Sequence, residues 1–164
     1  MFDSRRVVRK LARSVAFHAL VLCSAVAAFA QPRYVVSEYD DGNTVVDHVT
    51  GLRWEQTSAT LQVQWQAALQ YCEGLVLGGS DNWRLPNVIE LSTLVDETRS
   101  NPPLNTVYFV DFVNGAYWTS TTNPLTSQMA YIVNFYDSAD ELANGGINII
   151  EKTSTANVLC VRTF

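Results

Sequence analysis

WQAALQYCEGLVLGGSDNWRLP, residues 65–86, is the stretch that decides the fold. Trp65, Ala68, Leu69 and Cys72 recur at i, i+3, i+4 and i+7, so they share one face of a helix, and Leu75 or Val76 extends the stripe by a turn. Gly78-Gly79 supply the left-handed backbone expected to end it. After Trp83-Arg84-Leu85-Pro86, Asn87 is followed three residues later by Glu90. This capping-box spacing predicts a second helix along Val88, Leu91, Leu94 and Val95. An amphipathic helix therefore carries a cysteine on its buried side and is joined to a second helix by a short loop.

Upstream, residues 1–30 have the layout of a secretory signal peptide. Arg5, Arg6, Arg9, Lys10 and Arg13 precede an apolar run over 15–29, and Ala28-Phe29-Ala30 fits a small-x-small cleavage site. The run is shorter than the roughly 18–20 apolar residues of a spanning helix, which argues against a retained anchor and for no transmembrane span after cleavage. Ser4-Arg5-Arg6 has a twin-arginine look beside the general secretory pattern. Cys23 admits a lipoprotein reading that the large Leu22 disfavours. Residues 31–164 are then a single exported domain, periplasmic or at the cell surface.

Removing that leader changes the charge. The chain has 11 Lys+Arg and 16 Asp+Glu; the leader holds five basic residues and one acidic, leaving 6 against 15 and a net charge of −9. The remaining basic residues are scattered, so nucleic acid is excluded as a partner. The two remaining cysteines, Cys72 and Cys160, read in an exported chain as a disulfide with one possible connectivity, two separate buried thiols being the alternative.

The rest of the chain reads mostly as strands. Residues 34–48 give two short strands broken at Asp41-Gly42-Asn43, and Leu52-Arg53-Trp54-Glu55 alternates as on a half-buried strand. Residues 56–64 are polar and carry no clear signal. Two prolines, Pro102 and Pro103, open an irregular connection over 97–116. Strand composition returns at 117–121, at 129–136 as a central strand, and at 147–150 and 158–161, with Asn144-Gly145-Gly146 expected as a turn. Helices early and strands late predict an α+β fold with two helices packed on an antiparallel sheet. The disulfide from first helix to terminal strand resembles the base of a C-type-lectin-like fold.

Enzymatic chemistry finds little footing. His48 is the one histidine after residue 30, there is no elbow around a serine, and the glycine pairs lack a phosphate-loop pattern. Asp40-Asp41 and the cluster Asp137, Asp140 and Glu141 offer hard oxygens for calcium, the alternative being solvated acidic turns. The tryptophans read as core, and Arg84 as an internal residue satisfying loop carbonyls or a carboxylate such as Asp96.

Taken together, Thr50-Gly51-Leu52-x-Trp54, Trp65-x-x-Ala68-x-x-x-Cys72, Leu77-Gly78-Gly79, Trp83-Arg84-Leu85-Pro86-Asn87, Glu90-Leu91, Tyr117-Trp118-Thr119-Ser120 and Cys160-Val161-Arg162 resemble the Lcl C-terminal domain family, from about residue 43 to the end. The resemblance implies a bacterial exported or surface domain of C-type-lectin-like fold, with adhesion or glycan binding suggested for some members. The expected function is a non-enzymatic binding module for a glycan or protein. Its loops would be 97–116, 122–128 and 137–146, with Tyr108, Tyr117 and Asn123 as candidate ligand-binding residues alongside Asn101, Asn105 and Asn114. Ordinary solvent-facing turns are the alternative for those loops. The alternative function is a cell-envelope enzyme gathering His48, Tyr117, Asp137, Asp140 and Glu141 in one pocket.

Overall fold

Leu52–Glu55 (β3), whose Leu52 and Trp54 alternate with charged residues, pairs antiparallel with Thr44–Asp47 (β2), which is buried throughout, setting Val45 against Trp54 and Asp47 against Leu52. Tyr34–Val36 (β1) adds on one side, and Val161–Thr163 (β9) pairs antiparallel with β3 on the other. A computed structural model describes residues 31–37, 43–100, 102–136 and 144–163. Residues 1–30, expected from the sequence to be a signal peptide, and the acidic residues Asp40, Asp41, Asp137, Asp140 and Glu141 lie outside the described residues.

The second sheet has the order β4-β8-β5-β6-β7, built from Ala59–Val63 (β4), Ala116–Thr122 (β5), Met129–Phe135 (β6), Asn144–Glu151 (β7) and Ala156–Val158 (β8). The expected single antiparallel sheet is thus two sheets, and the second is mixed, because β5 and β8 run parallel through Tyr117 and Asn157. The parallel contact is tight. Asn157 donates to the Ala116 carbonyl at 3.1 Å, and a Cβ on Gly115 would collide with its Nδ2.

β6 reads as an apolar run because both of its faces are covered. Val133 and Phe135 join Tyr117, Trp54, Leu91, Leu94, Leu104 and Phe109 in one core. Ala130 and Ile132 of the same strand join Trp118, Trp83, Ala68, Cys72 and Cys160 in a second. Consecutive strand residues point to opposite faces, which is how one strand serves both cores.

Trp65–Glu73 (α1) carries the predicted stripe, with Ala68 and Cys72 fully buried. It stops earlier than the spacing suggests, at Gly74, which stays right-handed while its N–H bonds the Gln70 carbonyl at 3.0 Å. Gly78 and Gly79 do adopt positive φ, 58° and 67°, but in a two-residue turn closed by reciprocal Leu77–Ser80 hydrogen bonds. Positive φ at both central positions is the demand of that turn rather than of the helix end.

Val88–Ser92 (α2) opens on the predicted capping box, with Asn87 accepting from the Glu90 N–H and Glu90 accepting from the Asn87 N–H, both at 2.8 Å. It is only five residues long. The Thr93 hydroxyl takes the Glu90 carbonyl, and the N–H groups of Leu94 and Val95 bond three residues back, so tighter turns carry the stripe onward.

Cys72 and Cys160 are bonded, with Cα atoms 5.5 Å apart across a separation of 88 residues. Residues 158–161 do not form one strand. The Cys160 N–H turns to a Glu55 carboxylate oxygen at 3.2 Å and its carbonyl accepts the Glu55 N–H at 3.0 Å, so the chain leaves β8 for the first sheet. Asn144-Gly145-Gly146, expected as a turn, lies inside β7. There, two steps along β6, from Val133 to Phe135, face three steps along β7, from Ile147 to Asn144, an extra residue that glycine accommodates.

Candidate functional site

The first sheet's edge and the chain leaving α2 enclose an open cleft of about 710 Å³. Arg33 and Tyr34 from the start of β1 form one wall, Ser92 and residues 94–97 the second, and Asn105 and Tyr108 from the irregular connection the third.

Arg33 is the brace. Its Nε and Nη2 reach the two oxygens of Asp47 at 3.2 and 3.0 Å, and Nη2 also donates to the Thr93 carbonyl at 2.7 Å. The Asp47 side chain is fully buried. Burial alone would raise its pKa, but the Arg33 hydrogen bonds and the Val49 N–H hold it below the usual carboxylate range. The Arg33 guanidinium also lies 4.7 Å from the Tyr34 ring centroid. Burial pushes the Tyr34 hydroxyl up to about 12, so it stays protonated.

The connection is held open by its own anchors. Leu104 and Phe109 are buried in the first core, and the Asp96 N–H bonds the Pro103 carbonyl at 2.9 Å. Gln56 donates to the Tyr108 carbonyl at 3.1 Å. The Tyr108 ring, half-buried, sits 5.6 Å from Tyr34, which also meets Phe109 edge-on. The Asp96 carboxylate accepts from the Thr98 hydroxyl and N–H, with Arg99 Nε 2.9 Å from its second oxygen; these bonds, the hydroxyl first, lower its pKa.

Of the residues expected to bind, Tyr108 lines this cleft, joined by Asn105. Tyr117 does not look outward. It is fully buried, stacked on Phe112 at 4.6 Å, with its hydroxyl donating to the Val113 carbonyl at 2.7 Å. Asn123 closes the turn between β5 and β6, accepting the Leu125 N–H at 3.0 Å, and is not among the cleft's lining residues. His48 is exposed in the turn after β2, so it and the buried Tyr117 share no pocket. Asn101 falls outside the described residues. Arg84 does take a carboxylate, but that of Glu90, in a two-pronged pair at 2.6 and 2.7 Å; Asp96 pairs with Arg99 instead.

Sequence reading placed Glu97 in the expected 97–116 loop without singling it out, and it missed Arg33 and Tyr34 as cleft residues and a second polar centre at Glu55. That carboxylate is 6% exposed, beside the disulfide, and accepts the Tyr71 hydroxyl at 2.8 Å. Burial raises its pKa to about 6 against the lowering effect of Tyr71 and the Cys160 N–H. Glu55 does not line the cleft.

Chemically the cleft offers two aromatic rings, carboxylates and an amide. The Ser92 hydroxyl is spent on the Ile89 carbonyl at 2.9 Å, and neither histidine nor cysteine lines the walls. Among the described residues no three His, Cys, Asp or Glu side chains converge as metal ligands, and no helix is long and apolar enough to cross a membrane.

Fold and cleft thus define an α+β, disulfide-tied domain with an open aromatic and polar recess. The model of the Lcl C-terminal domain matches residues 43–162, and the chain belongs to that family. No curated protein matches the chain.

Proposed function

We propose that the chain is an exported binding or adhesion module that holds a glycan or protein ligand in this cleft and performs no reaction on it. The observation that carries the reading is the cleft itself, where Tyr34 and Tyr108 stand beside polar groups on walls braced by Arg33 and by the buried Leu104 and Phe109. Concave sites with a few convergent polar groups are where ligands bind. The Cys72–Cys160 disulfide supports passage through an oxidising compartment, and so a periplasmic or surface location. On this reading the fold is C-type-lectin-like, supported by the tie from the first helix to the base of the terminal strand.

The test is an array of glycans and envelope proteins probed with the protein, with calcium and with chelator. Hits should weaken in a Tyr108→Ala variant. Absence of any hit under both conditions, or release of a product from a bound ligand, would overturn the reading.

A further inference from the structure

The charge ledger of the cleft narrows its ligand. Arg33 is committed to the buried Asp47 and to the Thr93 carbonyl, and Arg99 is paired with Asp96. That leaves Glu97, exposed on the wall, whose carboxylate bonds no other side chain among the described residues. The formal surplus of these groups is one negative charge, on a domain whose residues 31–164 already carry −9, counted as 6 Lys+Arg against 15 Asp+Glu.

What remains for a ligand is of three kinds. The Tyr108 ring is half-buried and its hydroxyl is uncommitted among the described residues. The Asn105 side-chain oxygen is used by the Val107 N–H at 3.2 Å, which leaves its amide to donate. The Glu97 carboxylate accepts only. An apolar ring face, an amide donor and a doubly accepting carboxylate together match a pyranose, whose C–H face packs on an aromatic ring and whose neighbouring hydroxyls donate in pairs to one carboxylate.

We infer that the cleft selects uncharged saccharides, neutral hexose or N-acetylhexosamine units, and rejects uronate or sulfated ones. This rests on the proposed binding role of the same cleft. A carboxylate or sulfate on the sugar would meet Glu97 with no unpaired cation on the walls to offset it. A neutral sugar gives up only water hydrogen bonds, which Glu97 and Asn105 replace.

Calorimetric titration of the protein with chitohexaose and mannohexaose, against a heparin hexasaccharide and oligogalacturonate, reads the selection. A neutral probe should bind with little dependence on salt and the anionic probes should not. Tyr108→Ala should weaken the neutral probe by more than about tenfold, and Glu97→Gln by about tenfold or more, the size of one charge-assisted hydrogen bond. Glu97 is exposed, so that variant keeps the fold, which its near-ultraviolet circular dichroism checks. Tighter, salt-sensitive binding of an anionic probe that Tyr108→Ala abolishes would overturn the selection and leave the binding role standing. So would a cleft that takes a protein and no saccharide. Failure of every saccharide and every arrayed protein would remove both.

Discussion

The Tyr71 hydroxyl donates to one oxygen of the buried Glu55 at 2.8 Å, while the other oxygen accepts the Cys160 N–H. An α1 residue and the disulfide-bearing segment are thereby joined through one carboxylate. Its pKa is raised to about 6 from 4.5, with burial as the largest cause. Because the folded value lies above the unfolded one, the protonated form favours folding. The contribution is fully present below about pH 4.5 and is lost as pH rises through about 6. The loss is on the order of 2 kcal/mol. Glu55→Gln should remove that slope and be the more stable protein at pH 7.5, since an amide can accept from Cys160 and donate to Tyr71. Urea midpoints of both proteins between pH 4 and 8 measure it; parallel curves would show that Glu55 does not titrate in this window.

Arg33 and Asp47 act with the opposite sign. The lowered Asp47 pKa means that its contribution is present above the unfolded value of about 3.8 and is lost as pH falls through the folded one. Arg33→Met keeps the stem but strands a fully buried carboxylate. Because Arg33 is itself 37% exposed, we expect about 2–3 kcal/mol of destabilisation at pH 7, below the full value of a buried pair. The loss should shrink as pH falls toward 4. A constant loss would mean that the bond to Thr93, not the charge, sets the effect.

Closing 88 residues of separation with a disulfide is worth roughly 4–5 kcal/mol in the chain-entropy account. Cys160→Ser should lower Tm by more than about 10 °C in a domain of this size. Reductant should bring the wild-type protein to the same Tm and leave the variant unchanged. A wild-type Tm indifferent to reductant would show that packing of Cys72 and Cys160, not the bond, holds the two segments.

How much of this was legible depended on how local the signal is. The capping box of Asn87 and Glu90 is a four-residue pattern and was readable in full, and two cysteines allow one bridge. Residues 158–161 misled because their apolar pattern is continuous across Leu159-Cys160. The change of sheet there is dictated by Glu55, 105 residues away. The cleft was least legible. Arg33 reaches Thr93 across 60 residues, and Tyr34, packed edge-on against Phe109, meets Tyr108 only because both join the first core. Tyr108 and Tyr117 both sit between apolar neighbours in the sequence, Val107 and Phe109 for one and Ala116 and Trp118 for the other, yet one borders the recess and the other fills the core.

That contrast separates binding from folding. Tyr117→Ala removes a fully buried ring packed on Phe112 and Phe135, and should destabilise by about 3–5 kcal/mol. Asn123→Ala opens the turn between β5 and β6 and should cost about 1 kcal/mol while leaving ligand affinity untouched. Tyr108→Ala exposes one face of Tyr34 but leaves Leu104 and Phe109 anchored, so its stability loss should stay near 1 kcal/mol while binding falls by more than about tenfold. Thermal melts and titrations of the three variants side by side decide the matter. If Asn123→Ala weakens binding as strongly as Tyr108→Ala, the ligand sits on the β5–β6 turn, and the cleft between Arg33 and Tyr108 is not its seat.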